Sequence, residues 1–253
     1  MYLSSLLINV GDNPDRPRPG RLWLRNLYYV HQRLCMAFPS ASQKSDDPDF
    51  LEPFKPDDFD KQVHVTRGAD AGFLFRIDPD PPARVVILVQ SALKPDWDYA
   101  FHNAGYFLAA PPQVSSFVPH FEKNQRLRFR ILANPVRRIS PRSLDDKGQP
   151  LDKKWTGKRV PVPHSKLEEW LTRKAEDSGF SLQHLTAIQP GYVYIRGHEA
   201  EKNTNRKKGN RLFSARFEGI LEITDPARLR QTLLRGIGPA KAFGFGLLSV
   251  APV

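Results

Sequence analysis

"QRLRFRILANPV", residues 125–136, decides how the chain is divided. Read with a period of two, Leu127, Phe129 and Ile131 share one face of a strand, and Arg126, Arg128 and Arg130 share the other. A strand with one apolar face, near the middle of a 253-residue chain, opens a second unit if the first is already complete. Upstream, the first is complete. "YLSSLLIN" (2–9) reads as a strand and "GDNPDRPRPG" as a turn-rich loop. Over Leu22–Phe38 the apolar positions Leu24, Leu27, Leu34, Cys35 and Phe38 recur at helical spacing. "GFLFRI" (72–77) and "ARVVILVQS" (83–91) flank the turn segment "DPDPP" as a hairpin, the second strand apolar on both faces and therefore central. A short helix near 97–104 and an extended piece near 106–109 complete the order β-α-β-β-α-β.

The order repeats downstream of residue 125. A loop or hairpin over 137–163 precedes "SKLEEWLTRKAEDSG", a helix whose Ser165 and Glu168 have capping-box spacing. Strands are expected at 191–196 and 211–223, split by the basic segment "HEAEKNTNRKKGN". "DPARLRQTLLRGI" is a helix with Asp225 as N-cap and Pro226 in its first position. The glycine-rich loop "GIGPAKAFGFG" and the closing strand "LLSVAPV" follow. Two copies of this order define an α+β fold of two tandem ferredoxin-like (RRM-like) domains, 1–116 and 117–253. "SQKSDDPDFLEPFKPDDFD" (42–60), acidic, proline-rich and without period, reads as an insertion with little regular structure.

Composition supports folded domains. Forty percent hydrophobic residues, with 16 Phe and 4 Trp, supply real cores. No run of 18 apolar residues exists, so no membrane partner is expected. "MYLSSLLINV" reads as a strand, not a secretory signal, and a cytoplasmic location is the expectation. The single cysteine, Cys35, excludes an internal disulfide and a Cys-rich zinc site.

Charge is distributed unevenly. Residues 1–116 hold 12 Lys/Arg against 14 Asp/Glu, a net −2, and residues 117–253 hold 26 against 13, a net +13. One basic half suggests a surface that meets a polyanion, with a generally solvated basic surface as the plain alternative. Nucleic acid is favoured over membrane because that half shows no basic amphipathic helix with a bulky apolar face. Arg126, Arg128 and Arg130 repel one another unless something anionic crosses them, and guanidinium forks suit phosphate oxygens. Acidic neighbours on a solvated face would answer the same need. Arg137, Arg138, Lys158, Arg159, Lys207, Lys208 and Arg211 extend the basic supply. "GFLFRI" is only a loose echo of a base-stacking RNA-recognition strand, so shape and backbone readout of an RNA duplex or hairpin fits better, with DNA left open by charge alone.

The glycine-rich loop (236–246) has neither the P-loop spacing nor the third glycine and preceding strand of a dinucleotide fingerprint. Its glycines and Lys241 suit a close approach to phosphate, or simply a tight helix-to-strand connection. Seven scattered histidines, no HExxH and no G-x-S-x-G direct attention to chemistry without metal or cofactor. RNA carries its own nucleophile in the 2′-OH, and an imidazole can take or give a proton at neutral pH. His31 in "LYYVHQRL" (27–34) is a candidate, with Tyr28 beside it at i−3. His31 also lies within the apolar stripe, where a packed core histidine is the competing reading.

"MYLSSLLIN", "LYYVHQRL", "FLFRIDPD", "VVILVQS" followed by "PDW", "LRFRILANPVR", "GKRVPV", "EEWLTRK", "FEGILEITDP" and "GIGPAKAFGFGLLSVAPV" occur in order along the whole chain. Together they resemble the CasE endoribonucleases, which process CRISPR precursor RNA in type I-E systems. The resemblance implies two ferredoxin-like domains and a metal-independent cut at the 3′ base of the repeat hairpin. It places Tyr28 and His31 on the family's tyrosine-x-x-histidine motif, with Tyr29 a second tyrosine in the same stretch. It further implies hairpin binding by a basic groove of the second domain, retention of the product, and membership of the Cascade complex with its other subunits. A non-catalytic RNA-hairpin-binding subunit is the contrasting reading. Residues 40–68 look longer than the family's usual connection.

Overall fold

The computed structural model describes residues 1–11, 19–49, 72–80, 84–140, 149, 156–195 and 210–253. The first domain contains β1 (Tyr2–Ile8), α1 (Pro19–Leu24), α2 (Leu27–Cys35), α3 (Ala41–Asp46), β2 (Phe73–Asp80), β3 (Arg84–Ser91), α4 (Trp97–Phe101) and β4 (Gln113–Ser116). Its antiparallel sheet has the order β2-β3-β1-β4, so β3 is central, as its two apolar faces require. The second domain begins with β5 (Arg126–Ala133), β6 (Val136–Arg138) and β7 (Arg159–Pro161). It continues through α5 (Leu167–Asp177), β8 (Phe180–Ile195), β9 (Asn210–Ile223), α6 (Pro226–Arg235) and β10 (Leu248–Pro252). Its main sheet has the order β10-β5-β9-β8, and β6–β7 forms a separate ladder. Counted along each half, both sheets order their strands second, third, first, fourth, the ferredoxin-like arrangement.

Four expectations are corrected. The single helical stripe over Leu22–Phe38 is two helices, because Asn26 adopts an extended backbone (φ −118°) and its Oδ1 accepts the Tyr28 N–H at 3.1 Å. The extended piece near 106–109 is a 3₁₀ turn at Gly105–Phe107 followed by pairing of 107–109 with the end of β1. Pro111 and Pro112 then interrupt the ladder, which resumes as β4. Ser165 is not an N-cap, since Pro163 opens a 3₁₀ turn at His164–Lys166 and α5 starts after Lys166 without a side-chain cap. β8 starts at Phe180, eleven residues before the expected strand at 191–196. Register shifts at Leu182/His184 and Leu185/Ala187 break its alternation, and Pro190 is tolerated because β8 is an edge strand. The acidic insertion begins with α3 and a turn at 48–49, and its residues from 50 on lie outside the described residues.

Each domain has its own core. Leu6, Ile8, Val30, Leu34, Phe75, Ile87, Val89 and Ala100 fill the first. Leu127, Phe129, Ile131, Trp170, Leu171, Phe217, Leu221 and Leu229 fill the second. The α6 cap is as expected: Asp225 Oδ1 accepts the N–H groups of Ala227 and Arg228, both at 3.0 Å, ahead of a helix opened by Pro226.

The domains meet where β2 and β3 lie against the second domain. Arg76 on β2 is 5% exposed and crosses the boundary. Its guanidinium donates to Ser249 Oγ at 2.9 Å and, at 3.4 and 3.5 Å, to the carbonyls of Leu247 and Arg130. Asp78 holds the other side through Nε and Nη2 at 2.8 Å each. Gln90 Nε2 donates to the Leu233 carbonyl at the end of α6. Gly236, in the left-handed region at φ 70°, packs so closely that a Cβ there would lie 2.9 Å from the Leu74 methyls.

Candidate functional site

Helix α2 places Leu27, Val30 and Leu34 in the first core. On the adjoining face, Tyr28 is half-buried and His31 is 9% exposed. The imidazole packs on β2, with its centroid 5.7 Å from the Phe73 ring and 6.3 Å from the Phe75 ring. Tyr29 points outward at 38% exposure, its ring centroid 6.2 Å from that of Tyr28. Arg33, a turn further on, fixes the helix by donating to Ala100 O and Asn103 Oδ1, both at 2.9 Å. The packing reading of His31 has a structural counterpart. It packs, and it packs on the strand that forms the domain boundary.

The glycine-rich loop of the second domain reaches the same place. Its 3₁₀ turn, Lys241–Phe243, touches both α2 and β2. Ala240 precedes the turn at φ 61°, an unusual left-handed conformation for a residue with a Cβ, and Gly244 closes it at φ 82°. A Cβ on Gly244 would stand 3.2 Å from Phe75 Cε2, so the loop lies on the same phenyl ring as His31. Burial first, and Arg235 second, hold the Lys241 ammonium below the ordinary lysine range. The turn that carries Lys241 thus meets the helix carrying Tyr28 and His31.

The remaining basic residues fall into two groups. Arg126, Arg128 and Arg130 do share the open face of β5. Arg126 Nε lies 3.2 Å from Glu222 Oε2, and Arg130 Nε lies 3.1 Å from Glu218 Oε1, both acids on the neighbouring strand β9. Arg128 Nε donates to Pro252 O at 2.9 Å. Burial alone would raise the Glu218 carboxyl, but Arg216 and Arg130 together pull it below the ordinary carboxylate range. Acidic neighbours therefore answer most of the repulsion that the sequence shows on this face.

The second group gathers at the opposite end of β5 from Arg126. Asn134 Nδ2 donates to Phe213 O at 2.5 Å just before β6, and Val162 N donates to Pro135 O just after β7. The β6–β7 ladder, with Arg137 opposite Val160 and Arg138 opposite Arg159, thus grows from that end. Arg137, Arg138, Lys158 and Arg159 are exposed there, and Arg211 is exposed on β9 two residues before Phe213. The glycine loop joins the same end, since Gly246 N donates to Leu132 O at 2.8 Å. Lys207 and Lys208 lie outside the described residues. The sequence reading missed Arg76, whose approach to the second domain has no local signal, and the Tyr192–Arg211 contact, which depends on strand register.

Two ferredoxin-like domains, the second carrying a basic ladder at one end, define a tandem ferredoxin-like protein. The chain belongs to the CRISPR associated protein family, whose model matches residues 1–252. It is 36% identical to the CRISPR-associated endoribonuclease Cse3 of Thermus thermophilus, with all of both chains covered. It is 29% identical to the CRISPR system Cascade subunit CasE of Escherichia coli, again with all of both chains covered. Among solved structures, Thermus thermophilus Cse3 bound to an RNA representing a pre-cleavage complex superposes with a TM-score of 0.66 at 28% identity, covering 99% of this chain and 98% of that one.

Proposed function

We propose that this chain is an endoribonuclease that binds the hairpin of a CRISPR repeat, cuts the precursor at the 3′ base of the stem without a metal ion, and stays with the product in a Cascade-type assembly. The observation that carries the reading is the placement of Tyr28 and His31 one helical turn apart beside the Lys241 turn. It is supported by whole-length similarity to an enzyme named as an endoribonuclease. A cytoplasmic site of action accompanies the reading. Among the described residues no helix is long and apolar enough to cross a membrane.

The chemistry needs little from the protein. An imidazole, which ordinarily titrates near about 6.5, takes the proton of the 2′-OH, and the oxygen attacks the adjacent phosphorus in line. The bond to the 5′ oxygen breaks, leaving a 2′,3′-cyclic phosphate and a 5′-OH once that oxygen is protonated. Tyr28 orients the attacking hydroxyl or assists the leaving oxygen. Lys241 offers positive charge to the phosphate. Arg137, Arg138, Lys158, Arg159, Arg211, Lys207 and Lys208 hold the stem's phosphates. Arg128 serves the open face, where Arg126 and Arg130 must give up Glu222 and Glu218 to take a phosphate.

The 9% exposure of His31 favours one second reading, a subunit that binds the hairpin without cutting it. Incubating the chain with repeat-hairpin RNA in EDTA and analysing the ends separates the two. Products ending in 2′,3′-cyclic phosphate and 5′-OH support the enzyme; intact, bound RNA supports the binding subunit.

A further inference from the structure

Strands β8 and β9 run past the end of the second core as a hairpin whose register sets Tyr192 opposite Phe213 and Tyr194 opposite Arg211. All four residues share the face that, further along the strands, is covered by helices. Phe213 is buried there, stacked on His164 with ring centroids 5.7 Å apart and meeting Tyr192 edge-on at 5.5 Å. Arg211 does not lie over its own register partner. Its guanidinium carbon sits 3.9 Å above the Tyr192 ring, a diagonal cation–π contact. Tyr192, 46% exposed, is thereby held between Phe213 and Arg211, whereas Tyr194 is 67% exposed and makes no ring contact, hydrogen bond or ion pair among the described residues. A large flat side chain is left uncovered opposite the exposed Arg211 on the neighbouring strand.

We propose that Tyr194, backed by the Tyr192–Arg211 pair, is a stacking site for an unpaired nucleotide of the RNA. The inference rests on the RNA-binding reading above and makes it more specific. Cations alone would recognise phosphate along any duplex. An A-form stem hides the faces of its bases, so an exposed aromatic finds a partner only where a base is unpaired, in the loop or flanking the stem. Arg211 opposite Tyr194 and the net +13 of the second domain supply charge for the flanking phosphates, and this charge favours RNA over a protein segment as the occupant.

The test uses the full chain and two RNAs with the same stem, one carrying its loop and flanking nucleotides, the other a blunt, fully paired duplex. Base–aromatic stacking is worth roughly five- to 150-fold in affinity per base. Tyr194→Ala should weaken binding of the first RNA by about tenfold and leave the second unchanged. Tyr194→Phe, which keeps the ring, should restore the difference. A 2-aminopurine placed at the stacked position should be quenched by the wild-type chain and not by Tyr194→Ala. Equal losses on both RNAs, or no loss on either, would overturn the stacking site, the latter leaving a protein-facing surface. If the wild-type chain binds neither RNA, the RNA-binding reading itself falls, and the site with it.

Discussion

The His31 imidazole and the Phe75 ring lie close to parallel, 22° between their planes, and Gly244 of the second domain rests on the same phenyl ring. The imidazole proposed to transfer the proton is therefore held against the strand that joins the domains. His31→Phe should preserve this packing and remove the proton acceptor. Cleavage should fall by at least about a hundredfold, in line with the loss of a general base, while hairpin affinity and melting temperature stay near wild type. Loss of affinity and fold together would return His31 to a purely structural role.

Tyr28 and Tyr29 are adjacent but differently placed, one half-buried beside His31 and the other facing outward. Tyr28→Phe should slow single-turnover cleavage about tenfold or more without changing RNA affinity, and Tyr29→Phe should change neither. The reverse ranking would transfer the assisting phenol to Tyr29.

Arg76 is a buried cation serving Asp78, Ser249 and two carbonyls across the boundary. Arg76→Ala leaves those acceptors without their donor and should cost about 2–4 kcal/mol in urea unfolding. Arg126→Ala removes only an exposed pair with Glu222 and should cost less than about 1 kcal/mol. Equal effects would contradict the assignment of Arg76 as the strut between domains.

Gly244 tolerates a side chain poorly on two counts, its φ of 82° and the 3.2 Å approach to Phe75. Gly244→Ala should destabilise by about 1–2 kcal/mol from conformation alone and slow cleavage by shifting the surface under His31. Gly105→Ala, where a Cβ meets nothing within 4 Å, is the neutral control.

Glu218 is held below its ordinary value of 4.5 by Arg216 and Arg130, against the opposing effect of burial. A carboxyl with a depressed folded-state pKa adds stability that is present above its unfolded pKa and lost as pH falls through the folded one. Stability should therefore decline on acidification below about 4.5, and Glu218→Gln should flatten that decline. An unchanged acid limb would show that the pairing contributes nothing.

Much of the fold is legible in the sequence because strand alternation and caps act locally. The arginine alternation of β5, the Asp225–Pro226 start of α6 and the hairpin of β2 and β3 are all present as read. The misread elements depend on longer-range competition. Asn26 can sit in a helix or cap one, and only packing of Trp23 and Leu27 on the first core decides. β8 hides behind two register shifts that erase its period. For the site, pattern makes His31 a packing residue and resemblance makes it a proton-transfer group. Its packing on Phe73 and Phe75 answers the first of these demands. The acids that pair with Arg126 and Arg130 lie on a strand 88 or more residues away, beyond any local reading.

The most direct test of the central claim is single-turnover cleavage, in EDTA, of repeat-hairpin RNA and of the same RNA with a 2′-deoxy at the nucleotide before the scissile phosphate. The account predicts equal affinity for both RNAs, cleavage of the first to a 2′,3′-cyclic phosphate, and none of the second. Cleavage of the deoxy substrate, or a strict requirement for a divalent metal, would contradict it.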